Sequence, residues 1–162
     1  MNNELTSYLK TEMIIAAAFN FFINGMCAGL IHHKADYVAT DIVSIAIDLT
    51  CTCLFTFIIS AMFCKASIKQ TKTAGILETK NRFLRFSGKL FQRSVLFGVI
   101  MGFITAAVLW VLTATLFMLI GVYALQFGLY VALKCLFAAL LGGGVAFLEL
   151  YSGMCKFELI VL

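Results

Sequence analysis

Asp48 and Lys134 have the clearest capacity for chemistry in this chain, because each carries its charge alone inside a long apolar stretch. An ionisable side chain at the centre of a bilayer costs roughly 2.5–3.5 kcal/mol on insertion scales, so it faces protein or water and is a functional candidate by default. Around Asp48, the polar residues Ser44, Thr52, Thr56 and Ser60 recur every four positions. Residues four apart stack on one side of a helix, so the series predicts a polar seam along it. Asn20 and Asn24 repeat the spacing in an earlier apolar stretch. Together these residues are expected to line a hydrated pathway, or a pocket for a small solute or ion, with Asp48 and Lys134 as its charged centre. The plainer reading of the hydroxyls and amides is that they bond back to their own helices or join two helices together.

The elements that must hold these residues follow from composition. Of 162 residues, 62% are hydrophobic, only 12% are charged and none is proline. A soluble domain carries about 25% charged residues, so a water-soluble globule is excluded. A helix needs about 20 apolar residues to cross the hydrocarbon, and four stretches qualify, at about 13–31, 42–64, 95–122 and 125–148. The first is longer than a signal-peptide core and is flanked by Glu4 and Glu12, so it is taken as a retained span. Residues 94–133 carry no charge and as one helix would reach about 60 Å, twice the hydrocarbon thickness. The chain is therefore expected to turn between Gly121 and Gln126. The fold expected is an all-α integral membrane protein, a single domain over 1–162, with four transmembrane helices in two hairpins.

Depth decides which polar groups can meet. Asp48 lies about 9 Å past Ile42, and Lys134 about 13 Å past Leu125, so the two can pair if the second and fourth spans are neighbours. Glu149 lies about 36 Å past Leu125, beyond the core, and is expected at the interface.

The linker 65–94 carries Lys65, Lys69, Lys72, Lys80, Arg82, Arg85, Lys89 and Arg93 against the single acid Glu78. By the positive-inside rule it is cytoplasmic, as are both termini, in a multi-pass protein of the cell membrane. Ile76, Leu77, Phe83, Leu84, Leu90 and Phe91 recur on one side of a helix, and Arg82, Arg85, Lys89 and Arg93 fall opposite. The linker is thus expected to form an amphipathic helix before the third span, whose bases bind the anionic lipid of the inner leaflet. A nucleic-acid partner is not expected, because the cluster is short and tethered to the membrane.

Gly25 and Gly29 form one close-packing stripe, and Gly98, Gly102 and Ala106 another. Such stripes serve a compact bundle, self-association or another membrane subunit. Gly142, Gly143 and Gly144 suggest either a hinge or close packing. The two hairpins share an orientation, and Cys53-Leu54-Phe55 can be laid on Cys135-Leu136-Phe137, as in a parallel repeat.

The six cysteines show no C-x-x-C and no zinc spacing, although Cys64 and Cys155 fall near the inner interface, where acylation is conceivable. His32, His33 and Asp36 read as an ordinary outer loop. With no nucleotide loop, metal site or nucleophile motif, neither a cofactor nor enzyme activity is expected. The function expected is a transporter or channel-like protein, or the membrane subunit of a transport system. The alternative is an accessory or regulatory protein that docks on a membrane partner and binds anionic lipid through its linker.

Overall fold

Each long apolar stretch is one continuous helix in the computed structural model, which describes residues 3–73, 77 and 81–155. In chain order the elements are α1 (Asn3–His32), β1 (Tyr37–Ala39), α2 (Ile42–Thr71), α3 (Arg82–Phe91), α4 (Ser94–Ile120), β2 (Ala124–Gln126) and α5 (Phe127–Met154). α1, α2, α4 and α5 are long and apolar enough to cross a membrane.

Local chemistry sets the helix ends. Asp41 caps α2 by accepting the amide hydrogens of Val43 and Ser44 at 3.0 and 3.1 Å, which satisfies donors a first turn leaves unpaired. Asn81 does the same for α3 through Phe83. α4 stops where the turn was expected: Gly121 adopts φ +69°, a left-handed conformation that needs no Cβ, and Val122 donates back to the Phe117 carbonyl at 3.0 Å.

The packing differs from two hairpins. α1 lies against α5, α5 against α2, and α2 against α4, whereas α1 and α2 barely touch. The membrane helices therefore follow the order α1–α5–α2–α4. Close approach decides this order, because the small residues face non-sequential neighbours. A Cβ at Gly25 would lie 2.6 Å from Cys135 Sγ of α5, and one at Gly98 would lie 2.7 Å from the Ile58 backbone of α2. Gly102 meets Leu54 of α2 in the same way, and Ala106 is buried. The triple glycine is helical throughout, so it forms no break.

This order reads the same from either end if α1 is exchanged with α4 and α2 with α5. Each half of the chain is then helix–strand–helix. The two short strands pair antiparallel, with Val38 opposite Leu125, and so join the loops of the two halves at one end of the molecule. The arrangement has the two-fold form of a parallel repeat.

α3 lies at the other end. It begins at Arg82, later than the sequence pattern suggested, and Ile76, Glu78 and Lys80 of that pattern lie outside the described residues. Ser87 bonds Ser152 of α5 at 2.9 Å, and Phe91 is buried against a cluster that includes Leu9, Phe57, Ile68, Phe97, Leu150 and Met154. Ile14, Phe22 and Leu30 of α1 and Leu112 and Leu119 of α4 point outward.

Candidate functional site: a polar seam between α1, α2 and α5

The polar residues of α2 do converge with those of α1 and α5, in an order set by their depth. At the end bearing the strands, Lys134 of α5 is ion-paired with Asp48 of α2. Asp48 is six residues into α2 and Lys134 seven into α5, so they lie about 9 and 10 Å from the starts of adjacent helices. The Lys134 side chain is 9% exposed and that of Asp48 34%. Tyr130, one turn before Lys134, accepts from its ammonium at 3.4 Å, and its ring packs edge-on against His32 of α1. Tyr130 is not among the residues the sequence pattern singles out. Its i, i+4 spacing to Lys134 was the available signal.

One turn further along α2 is the buried Thr52, and another turn on, Thr56 donates to Asn20 Oδ1 of α1 at 2.9 Å. Asn20 also donates to the Ala16 carbonyl of its own helix. Its amide crosses α5 where Gly142 leaves room, since a Cβ there would lie 2.5 Å from Asn20 Nδ2. Sequence spacing had marked Asn20, Thr56 and Gly142 separately. The reason they form one site is that α5 lies between α1 and α2.

Ser60 follows, buried and bonded to Cys64 Sγ at 3.7 Å. Beside them stands Glu149 of α5, fully buried next to the Ser60 hydroxyl and the Cys64 thiol, with neither carboxyl oxygen in hydrogen-bond geometry to a described residue. The expectation for Glu149 concerned its depth alone and left its burial open. Glu149 lies far along α5, where α2 encloses it. Three residues past Cys64, Ser67 donates to Glu12 of α1 at 2.9 Å and accepts from Tyr8 at 2.6 Å. From Asp48 to Ser67 the seam follows about 28 Å of helix, close to the hydrocarbon thickness of about 30 Å.

Two of the expected lining residues serve other purposes. Ser44 is exposed and donates to Asp41 Oδ2 at 2.5 Å, completing the cap of α2. These hydrogen bonds, the one from the Ser44 hydroxyl first, hold the Asp41 carboxyl below its ordinary range. Asn24 donates back to the Asn20 carbonyl, the plainer role open to it. Cys64 and Cys155 are buried, which removes the access that acylation needs.

Hollows described at the α2–α4 contact do not touch the seam. The larger is an open, apolar groove of about 380 Å³ lined by Ile45, Phe117 and Met118 among others. The smaller, of about 180 Å³, lies beside Thr50 and Trp110. On α3, Arg82 and Lys89 are exposed, as is Arg93 just after it. The Arg85 side chain lies outside the described residues.

Comparison of the chain with models of protein families, with curated proteins and with solved structures found no match.

Proposed function

We propose that this chain is a small transport protein, channel-like or the membrane subunit of a transport system, that moves a small solute or ion along the seam between α1, α2 and α5. The observation that carries the reading is the series of polar groups along α2 and its neighbours, from the Asp48–Lys134 pair, through Asn20–Thr56, to Glu149 and the Glu12–Ser67 pair. Polar and ionisable groups inside a membrane are costly, and their usual use is to line an ion or proton path. The two-fold helix order adds support, because parallel repeats are a transporter device with sites at the repeat interface. α2 and α5 form that interface, and they supply Asp48, Lys134, Thr56 and Glu149.

The orientation in this reading has the α3 end and both termini in the cytoplasm and the strand pair outside, in the cell membrane. A Cβ built at Gly29 would meet no neighbouring helix of the described chain within 4 Å, so that part of the α1 stripe is open to a second copy or another membrane subunit. Uptake or efflux by the purified chain in liposomes, over a panel of ions and small solutes, tests the reading. Specific flux supports it. No flux together with a stably co-purified partner supports the accessory role instead.

α3 favours that second role. Phe83 and Phe86 are 52% and 64% exposed beside the exposed Arg82 and Lys89, a combination that suits an anionic lipid surface. Replacing Arg82, Arg85, Lys89 and Arg93 by Gln should weaken binding of the full chain's headgroup probe, soluble inositol phosphate, without altering its thermal unfolding. Unchanged binding contradicts a lipid role for these bases.

A further inference from the structure

Glu149 is the residue of the seam whose burial nothing in the packing relieves. It is 0% exposed, and its two oxygens are the buried side-chain atoms that lack a hydrogen-bond partner among the described residues. The groups that face it give no compensating charge. α2 offers the Ser60 hydroxyl and the Cys64 thiol, which bond each other. α1 brings Glu12 within electrostatic reach of Cys64, but it is an acid and is already bonded by Ser67. Lys65, the nearest base along α2, is exposed and donates to the Gln92 carbonyl, while Ser87 of α3 is occupied by Ser152. The ion pair among the described residues is Asp48–Lys134, at the opposite end.

A carboxylate enclosed in this way, with no cation and only a hydroxyl and a thiol beside it, neither in hydrogen-bond geometry to its oxygens, is among the costliest groups to bury. Binding a cation removes the charge, and the surroundings decide which cation. A hard metal ion takes six or more oxygen ligands, or keeps several waters. Here the oxygens at hand are two from the carboxyl and one from Ser60, with a soft thiol beside them. A proton needs one oxygen.

We propose that Glu149, with Ser60 and Cys64 beside it, is an exchangeable proton-binding site at the α3 end of the seam. Its existence stands on this burial, and its role in coupling a proton to movement along the seam rests on the transport reading above. Loading forms one O–H bond on a Glu149 oxygen and breaks one on the water-borne acid that delivers the proton. Release reverses both, and no other bond changes. The outlet is the polar group nearest the α3 end, Glu12 with Ser67 and Tyr8, where Glu12 and Tyr8 are partly exposed. Ser67 is about 10 Å past Ser60 along α2, a distance about three hydrogen-bonded waters span.

Infrared spectroscopy of the full chain in lipid bilayers at neutral pH reads this state without requiring transport. The wild type should show the C=O band of a protonated carboxyl, the band should move to lower frequency in D2O, and Glu149→Gln should lack it. Asp48→Asn should leave it in place. Absence of the band means that Glu149 carries its charge, and a band that never responds to D2O means a sealed structural acid. Either result overturns the proposal. If Glu149→Gln does not fold, dicyclohexylcarbodiimide, which modifies protonated carboxyls in apolar surroundings, replaces it on the wild type. Modification mapped to Glu149 supports the site, and modification of other carboxyls only overturns it. An exchanging Glu149 in a chain without flux would sink the transport reading alone, whereas flux without the exchanging band would sink this site alone.

Discussion

Gly142 and Gly144 are two residues apart in one helix, yet adding a methyl group to each should change stability in opposite directions. A helix-interior Gly→Ala gains about 0.5–1 kcal/mol through reduced backbone entropy of the unfolded chain, where space allows. Nothing lies within 4 Å of a Cβ at Gly144, so Gly144→Ala should stabilise by about that amount. At Gly142 the Cβ would fall 2.5 Å from Asn20 Nδ2 and 2.7 Å from its Cγ. The amide cannot swing aside freely, because it donates to the Ala16 carbonyl and accepts from Thr56. Losing the Thr56 bond costs about 1 kcal/mol, and overpacking about 1–3 kcal/mol. After the helix gain is subtracted, Gly142→Ala should destabilise by about 1–3 kcal/mol. Removing the amide by Asn20→Ala in the Gly142→Ala background should recover only part of this, since Asn20 Cβ itself is 2.8 Å from the added methyl. Reversible unfolding in mixed micelles measures all four forms. If Gly142→Ala is as stabilising as Gly144→Ala, Asn20 does not cross α5 there, and the central link of the seam is wrong.

Three further outcomes follow from the same geometry. Asp48→Asn leaves the Lys134 charge, 9% exposed, without its partner and should cost about 3 kcal/mol, whereas Lys134→Met leaves the more exposed Asp48 and should cost about 1–2 kcal/mol. The double variant should recover part of the loss in micelle unfolding, and strictly additive losses would mean that the pair does not form. Asp41 is an acid held below its ordinary range, so its contribution to stability is present above that range and is lost as pH falls through the folded value. Ser44→Ala should therefore lower the melting temperature at neutral pH, with a difference that disappears in acid; an offset equal at every pH would contradict this cause. With the exposed Cys27 and Cys51 replaced, an impermeant thiol reagent on intact cells should label Cys introduced at Lys34 and spare Cys introduced at Thr71, and the reverse pattern would invert the orientation.

The four spans were legible because hydropathy over 20 residues is a strong signal, and the Gly121 turn because an uncharged stretch of that length has to reverse. The Asp48–Lys134 contact was legible from depth, a one-dimensional quantity, given neighbouring helices. Helix order was not. Short connections suggested hairpins, but Gly25, Gly98 and Gly102 allow close approach to α5 and α2, and adjacency along the chain carries little weight against that packing. The burial of Glu149 was not legible for a related reason: its place along α5 bears on depth alone, while its burial depends on Ser60 and Cys64, which belong to a helix distant in sequence. Ser44 fitted the four-residue period of α2, yet its hydroxyl is drawn to Asp41, because a residue in the first turn of a helix has a capping role available that an interior residue lacks.

Flux through liposomes that contain the purified full chain tests the central claim most directly, if Thr56→Val and Asn20→Leu are compared with the wild type. These changes replace polar groups at the middle of the seam and leave the α2–α4 contact untouched. Ion and solute flux above that of empty liposomes, lost in both variants while their helix content is retained, is the predicted result. A wild type with no flux, or variants as active as the wild type, would contradict a pathway between α1, α2 and α5.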